Sequence, residues 1–177
     1  MIILYREGLN EVQAAKILED ELKTLTKVFE DVSGKAKLPN WKPKLIYLLV
    51  NQKTGTRVYD IDGINGRLSN PLPGTIIGSE ISKDGSYEFL MASAVTTEGT
   101  CNMVQYKVAY DSSNQDVPHQ ALKVLTYEQC YNYPNWAGSI RFPATLQKAN
   151  KLAKFVSTHG EERIDKNNPL KALDYYI

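Results

Sequence analysis

Six apolar residues, Ala15, Leu18, Leu22, Leu25, Phe29 and Val32, recur at alternating steps of three and four. That spacing draws a single apolar stripe along a helix, with Glu19, Glu21, Lys23 and Lys27 on its other faces. Barely three heptads are present, which argues for a helix packed on a sheet rather than a coiled coil. A strand to receive it is also in the chain. Residues 44–50, KLIYLLV, form a continuous apolar run of strand length between turn residues, the pattern of a central strand buried on both faces.

Other segments fit the same plan. Ile2 to Tyr5 is a short apolar run that suits a buried strand, and Gly8 and Asn10 separate it from the long helix. Residues 33–43, rich in Lys, Gly and Pro, read as a loop. A turn at Thr54-Gly55 leads to a strand at Arg57-Val58-Tyr59. Residues 60–74 are Gly/Asn/Pro-rich and longer than an ordinary connection, which marks a functional or mobile excursion. Further strands are predicted over 75–81, 87–93 and 105–110, and helices over 118–131 and 144–157. The order predicts a mixed α/β domain built on one sheet, with no internal repeat. A buried strand beginning at residue 2 needs a neighbour on each side. That need reads as the rear part of a larger fold, through a truncated reading frame, an excised piece or a partner that completes the sheet.

A chain of 177 residues with 42% hydrophobic and 23% charged residues has enough apolar content for one domain with a true core. The net charge of +1 excludes a protein that advertises polyanion binding through bulk charge, so any nucleic-acid contact must come from local basic patches. Cys101 and Cys130 could pair, but with neither C-x-x-C nor metal-like spacing a reduced intracellular setting is the plainer reading. The apolar start is too short for a signal peptide and no stretch approaches a membrane span, so the expected location is cytoplasmic or nuclear, away from membranes. His119 and His159 lack ligand spacing, Cys101 has no matched base, and Trp41 and Trp136 read as packing residues.

Several motifs follow one another in a meaningful order: Ile3-Leu4-Tyr5-Arg6-Glu7-Gly8, then Val50-Asn51-Gln52-Lys53 with Thr56-Arg57, then Asn70-Pro71-Leu72-Pro73-Gly74-Thr75. Tyr87-Glu88-Phe89-Leu90, Gly99-Thr100, Tyr106, Tyr110-Asp111, Leu125-Thr126-Tyr127, Cys130, Tyr133, Trp136, Arg141-Phe142-Pro143-Ala144 and Lys151-Leu152-Ala153 come next, and the chain ends in Tyr175-Tyr176-Ile177. Together they resemble the Piwi domain of the Argonaute/Piwi family, closer to its Piwi branch. The resemblance implies a ribonuclease-H-like mixed sheet flanked by helices, with residues 1–177 as the carboxy-terminal portion of that domain. The domain's first half, and the other domains that usually precede it, would lie outside the chain. It also implies a small guide RNA and its complementary target RNA as partners, with other silencing proteins beside them.

Cutting members of that family hold Mg²⁺ with two Asp, one Glu and a His, the two-ion arrangement that activates water and stabilises the leaving oxygen. By resemblance the second Asp position is Glu7 and the last position is Asn150. The first Asp and the Glu would lie upstream of Met1. Glutamate keeps the charge on a longer arm, and an ångström of displacement can cost about a hundredfold in rate. An amide offers a weak oxygen ligand and no acid or base near neutrality. Glu7 reads either as a remnant Mg²⁺ contact or as a turn carboxylate, and Asn150 either as a remnant or as a polar residue on a half-exposed helix. The catalytic set is incomplete on this chain. The resemblance places guide-phosphate contacts at Gln52, where the family more often carries Lys, and at Lys53, Arg57, Tyr133, Arg141 and Gln147; each Lys or Arg also reads as a solvated charge. Lys148, Lys151 and Lys154 add a basic ridge to the last helix. The carboxylate of Ile177 is a further candidate for holding a cation beside a phosphate, the alternative being a simply packed terminus. Three functions stay open: guide-RNA binding in gene silencing, an Mg²⁺-dependent endonuclease completed by upstream residues, and a truncated interaction module without RNA.

Overall fold

The structure, a computed structural model, describes residues 1–7, 11–38, 41–78, 87–113 and 116–160, and of 11–15 the backbone alone. Among the described residues the elements follow in this order: β1 (Ile2–Glu7), α1 (Glu11–Lys35), β2 (Leu45–Asn51), β3 (Asp60–Ile61), β4 (Leu68–Ser69), β5 (Thr75–Ile77), β6 (Glu88–Ala92), β7 (Val104–Asp111), α2 (His119–Gln129) and α3 (Ala144–His159). Five strands form a mixed sheet in the order β1-β2-β7-β6-β5, with β1 parallel to β2 and the other pairs antiparallel.

The continuous apolar run of β2 is explained by its place. Both its edges are paired, and both its faces are covered. Ile46, Leu48 and Val50 join Phe89, Met91, Val104 and Tyr106 in a core closed by Leu122 of α2 and Leu146 of α3. The alternate side chains look toward α1: Tyr47 donates its hydroxyl to Glu21, and Leu45 lines a cavity with Leu22 and Phe29. The layers are therefore α1, sheet, and α2 with α3, as the period of two along a strand requires. β6 is buried on both faces as well, because Leu90 and Ala92 pack with Cys101 and Met103 in a second cluster. Phe89 stacks on Tyr106 at 5.0 Å inside the main core. The Tyr106 hydroxyl is buried without a hydrogen-bond partner among the described residues, and burial pushes its pKa well above the usual phenol value.

Several sequence expectations are corrected. β1 is half-buried at the sheet edge rather than buried, since among the described strands only β2 pairs with it. The apolar stripe on α1 is only partly covered: Leu18, Leu22, Leu25 and Phe29 are half-buried, while Val32 is 43% exposed. The predicted strand at 57–59 shrinks to one bridge, Arg57 with Asn102, because the chain then leaves for the β3–β4 hairpin. That hairpin lies within the long 60–74 excursion. α1 runs to Lys35, so the loop begins later than residue 33. The strand expected over 75–81 spans Thr75–Ile77, and residues 79–81 lie outside the described residues, as do Gly8, Asn10 and the aromatic terminus.

The Asn-Pro-Leu-Pro-Gly-Thr turn has a local explanation. Asn70 donates its amide to the Gly99 carbonyl at 2.9 Å and accepts from the Cys101 N–H at 2.8 Å, tying the turn to the approach of β7. Gly74 then enters β5 with φ +92°, and a Cβ there would stand 3.2 Å from the Tyr127 ring. Gly74→Ala should lower stability by about 1–3 kcal/mol in chemical denaturation, through positive-φ strain and that close contact. An unchanged midpoint would show that the turn relaxes. Tyr106→Phe should raise stability by about 1 kcal/mol, since it removes a buried hydroxyl with no described partner; a loss would reveal a partner.

Candidate nucleic-acid interface

The parallel pairing of β1 with β2 sets the site. Its register places Glu7 opposite Val50, so the carboxy-terminal ends of both strands finish side by side. β7 runs antiparallel to β2, with Gln105 opposite Asn51, and therefore starts at the same end. β6 pairs Met91 with Val104 and so finishes there too. Glu7, the 52–57 turn, Asn102 and Ser93 are gathered at one end of the sheet. In open α/β sheets that end is the usual place for ligands.

Arg57 and Arg141 meet on Asn102. Arg57 is exposed and donates from Nη1 to the Asn102 side-chain oxygen at 3.0 Å. Arg141 donates from Nε to the Asn102 main-chain carbonyl at 3.3 Å and from Nη2 to the Gln52 carbonyl at 2.6 Å. Arg141 is itself held from within. The buried Ser93 hydroxyl lies 2.9 Å from the Ile140 carbonyl and 2.7 Å from the Arg141 carbonyl. A guanidinium carries five donors. Among the described hydrogen bonds Arg57 uses only Nη1, which leaves donors for a phosphate. Lys53 is exposed beside them, its N–H bonded to the Asn51 side chain at 2.9 Å, and Gly55 turns the chain with φ +68°.

The other end of the strip is the Glu7 cluster. Gln52 Nε2 donates to Glu7 Oε1 at 2.5 Å, and Asn150 Nδ2 donates to Glu7 Oε2 at 2.8 Å. Residues 143 positions apart in the chain thus meet at one carboxylate. Gln147 is half-buried three residues before Asn150 on α3, on the same side of that helix. Pro143 precedes α3 and supplies no side-chain cap to its first turn. Lys148 has a partner of its own, while Lys151 and Lys154 are exposed.

Tyr133 stands apart. It is only 8% exposed, so most of its ring is packing. Ile177 lies outside the described residues. Asn102 and Ser93 escaped the sequence reading. Their type and neighbours carry no motif, and only the sheet order brings them here. The histidines go to aromatic contacts, His119 stacked on Tyr87 at 3.5 Å and His159 near Phe155 at 4.8 Å. Burial pushes the Cys130 thiol up to about 11, so it stays protonated near neutrality.

A two-Mg²⁺ site needs clustered oxygen ligands in tight octahedral geometry. Among the described residues no three His, Cys, Asp or Glu side chains gather. Glu7 has an amide N–H donor on each of its oxygens. These residues by themselves do not fit such a site.

The mixed sheet with helices on both faces is a ribonuclease-H-like domain, and solved Argonaute structures share it. The chain superposes on the crystal structure of Drosophila Piwi with a TM-score of 0.70 at 32% identity, covering 87% of this chain and 20% of that one. It superposes on Kluyveromyces polysporus Argonaute with a guide RNA at a TM-score of 0.78 and 21% identity, covering 99% and 23%, a likeness of fold. The Piwi domain profile matches residues 1–161. Protein argonaute-3 of Drosophila melanogaster is 34% identical over 155 residues, 88% of this chain and 16% of that protein. Piwi-like protein 1 of Danio rerio is 30% identical over 178 residues, 99% and 19%. The chain belongs to the Argonaute/Piwi family, as a Piwi domain. It spans less than a fifth of the length of these relatives. No helix among the described residues is long and apolar enough to cross a membrane.

Ser93→Ala should cost about 1–2 kcal/mol in denaturant unfolding, because it leaves two carbonyls at the Arg141 turn without their hydroxyl partner. Unaltered stability would mean that Ser93 does not hold the turn.

Proposed function

We propose that the chain binds the sugar–phosphate backbone of a small guide RNA along the strip Gln52, Lys53, Arg57, Arg141 and Gln147, as the Piwi portion of a small-RNA-guided silencing protein. The observation that carries this reading is the meeting of Arg57 and Arg141 on Asn102, at the end of the sheet where β1 and β2 finish. Two guanidinium groups and an exposed lysine on one short strip suit successive phosphates, which basic side chains hold without reading sequence. The solved Argonaute with a guide RNA, which shares the fold, supports the reading. A complementary target strand would pair with the exposed bases of that guide. The nuclease reading has less support, because the carboxylate at the cutting position is tied to two amides.

The test is binding of 5′-phosphorylated single-stranded RNA by fluorescence anisotropy across a salt series. Arg57→Ala and Arg141→Ala should each weaken binding about three- to tenfold and each reduce the slope of log K against log salt by about 0.7, the value per phosphate for single strands. A folded wild-type protein without salt-dependent affinity would overturn the reading and leave an interaction module.

A further inference from the structure

The position where cutting relatives would want a metal-binding carboxylate is used here in another way. Glu7 accepts from Gln52 on one oxygen and from Asn150 on the other. Its main-chain carbonyl accepts from Arg6 Nη1 at 2.7 Å, and Arg6 Nε bonds Glu21 of α1 at 3.0 Å, with Tyr47 of β2 also donating to Glu21. The residue is thus fixed from behind through α1 and β2, and from in front by the 52–57 turn and α3. We infer that Glu7 is a clasp, a positioning residue that locks β1, the end of β2 and α3 together and sets the phosphate-binding strip, and not a cation ligand.

Three observations carry this. First, an amide hydrogen is aimed at each oxygen and takes one of its two lone-pair sites, so a cation would have to share both oxygens with donors whose hydrogens repel it. Second, among the described residues Glu7 belongs to no group of three or more His, Cys, Asp or Glu side chains, whereas a divalent ion draws on several oxygen ligands. Third, the clasp is continuous with the strip: Gln52 gives its side chain to Glu7 and its main-chain carbonyl to Arg141 Nη2 at 2.6 Å. The clasp explains why an uncharged Gln serves at position 52. Lysine there would pair with Glu7 as an ion, whereas glutamine donates a hydrogen bond and leaves the outward positive charge to Lys53 and Arg57. The part of the inference that concerns RNA rests on the function proposed above.

The charge of Glu7 gives the test its sign. A carboxylate beside a phosphate track repels it, so a bystander changed to alanine should let RNA bind more tightly. A clasp changed to alanine should do the reverse. Anisotropy with 5′-phosphorylated single-stranded RNA should therefore show Glu7→Ala weakening binding about fivefold, the size of one lost hydrogen bond, with an unaltered salt slope. Glu7→Gln keeps one acceptor oxygen and should recover most of the loss. Tighter or unchanged binding by Glu7→Ala, while Arg57→Ala weakens, overturns the clasp and leaves the RNA reading intact.

A second arm needs no RNA and separates the two ideas. In thermal unfolding, Glu7→Ala should lower Tm, and millimolar Mn²⁺ should leave the wild-type Tm in place. Asn150→Asp replaces a donor by a second carboxylate facing Glu7. It should lower Tm in chelator and regain it in Mn²⁺, because like charges in contact call for a cation. A wild-type Tm that rises with Mn²⁺, and no longer does so in Glu7→Gln, makes Glu7 a metal ligand and ends the proposal. If no RNA binds to any variant, this arm decides the clasp alone.

Discussion

The parallel pairing of β1 with β2 is the constraint on which the rest of the molecule depends. Parallel strands finish at the same end, and the register Glu7 with Val50 makes those ends level. Everything with chemical interest then gathers there, because the antiparallel partners β7 and β6 start and finish at that same level. A slip of one residue would turn Glu7 to the other face and separate it from Gln52 and Asn150. Register is secured by the apolar pattern itself. The two faces of β2 fill different compartments, Ile46, Leu48 and Val50 against α2 and α3, and Leu45 and Tyr47 against α1.

Charge in this protein is local rather than global. A net charge of +1 gives no long-range field, yet Asn102 and the Gln52 carbonyl hold Arg57 and Arg141 at one place, and Lys53 follows Gln52 in the chain. In the proposed RNA contact, preorganisation replaces bulk charge. Holding each guanidinium by one or two neutral acceptors reduces the side-chain freedom that binding would otherwise have to remove. Glu7 keeps its negative charge, because the two amides that meet its oxygens are neutral, and Lys53, Arg57 and Arg141 outweigh it.

Much of this was legible in the residues. The alternating three and four spacing predicted α1, the KLIYLLV run predicted the doubly buried strand, and both later helices came out within two residues of their observed limits. These signals are local periodicities. Family resemblance put Glu7 and Asn150 in one site, and the structure brings them to 2.8 Å. Asn102 and Ser93 were not legible, because their role comes from where β6 ends and β7 begins, and strand order is not written in any local pattern. Edge or interior is likewise a property of neighbours, which is why the apolar run of β1 suggested more burial than it has. The brief strand at 57–59 failed for a similar reason: a β-like triplet becomes a strand only where a partner is free to pair along it, and here Asn102 pairs with Arg57 alone.

In the function proposed above, one continuous strip at the shared end of β1 and β2 meets the phosphates of a single strand. The most direct measurement is a nuclear magnetic resonance titration of the labelled chain with 5′-phosphorylated single-stranded RNA, following backbone amides and arginine Nε–Hε signals together. Lys53, Arg57, Asn102, Arg141 and Gln147 should shift in step, along one saturation curve. Shifts confined to α1 or to the β3–β4 hairpin, with both arginine side chains unmoved at saturation, would contradict it.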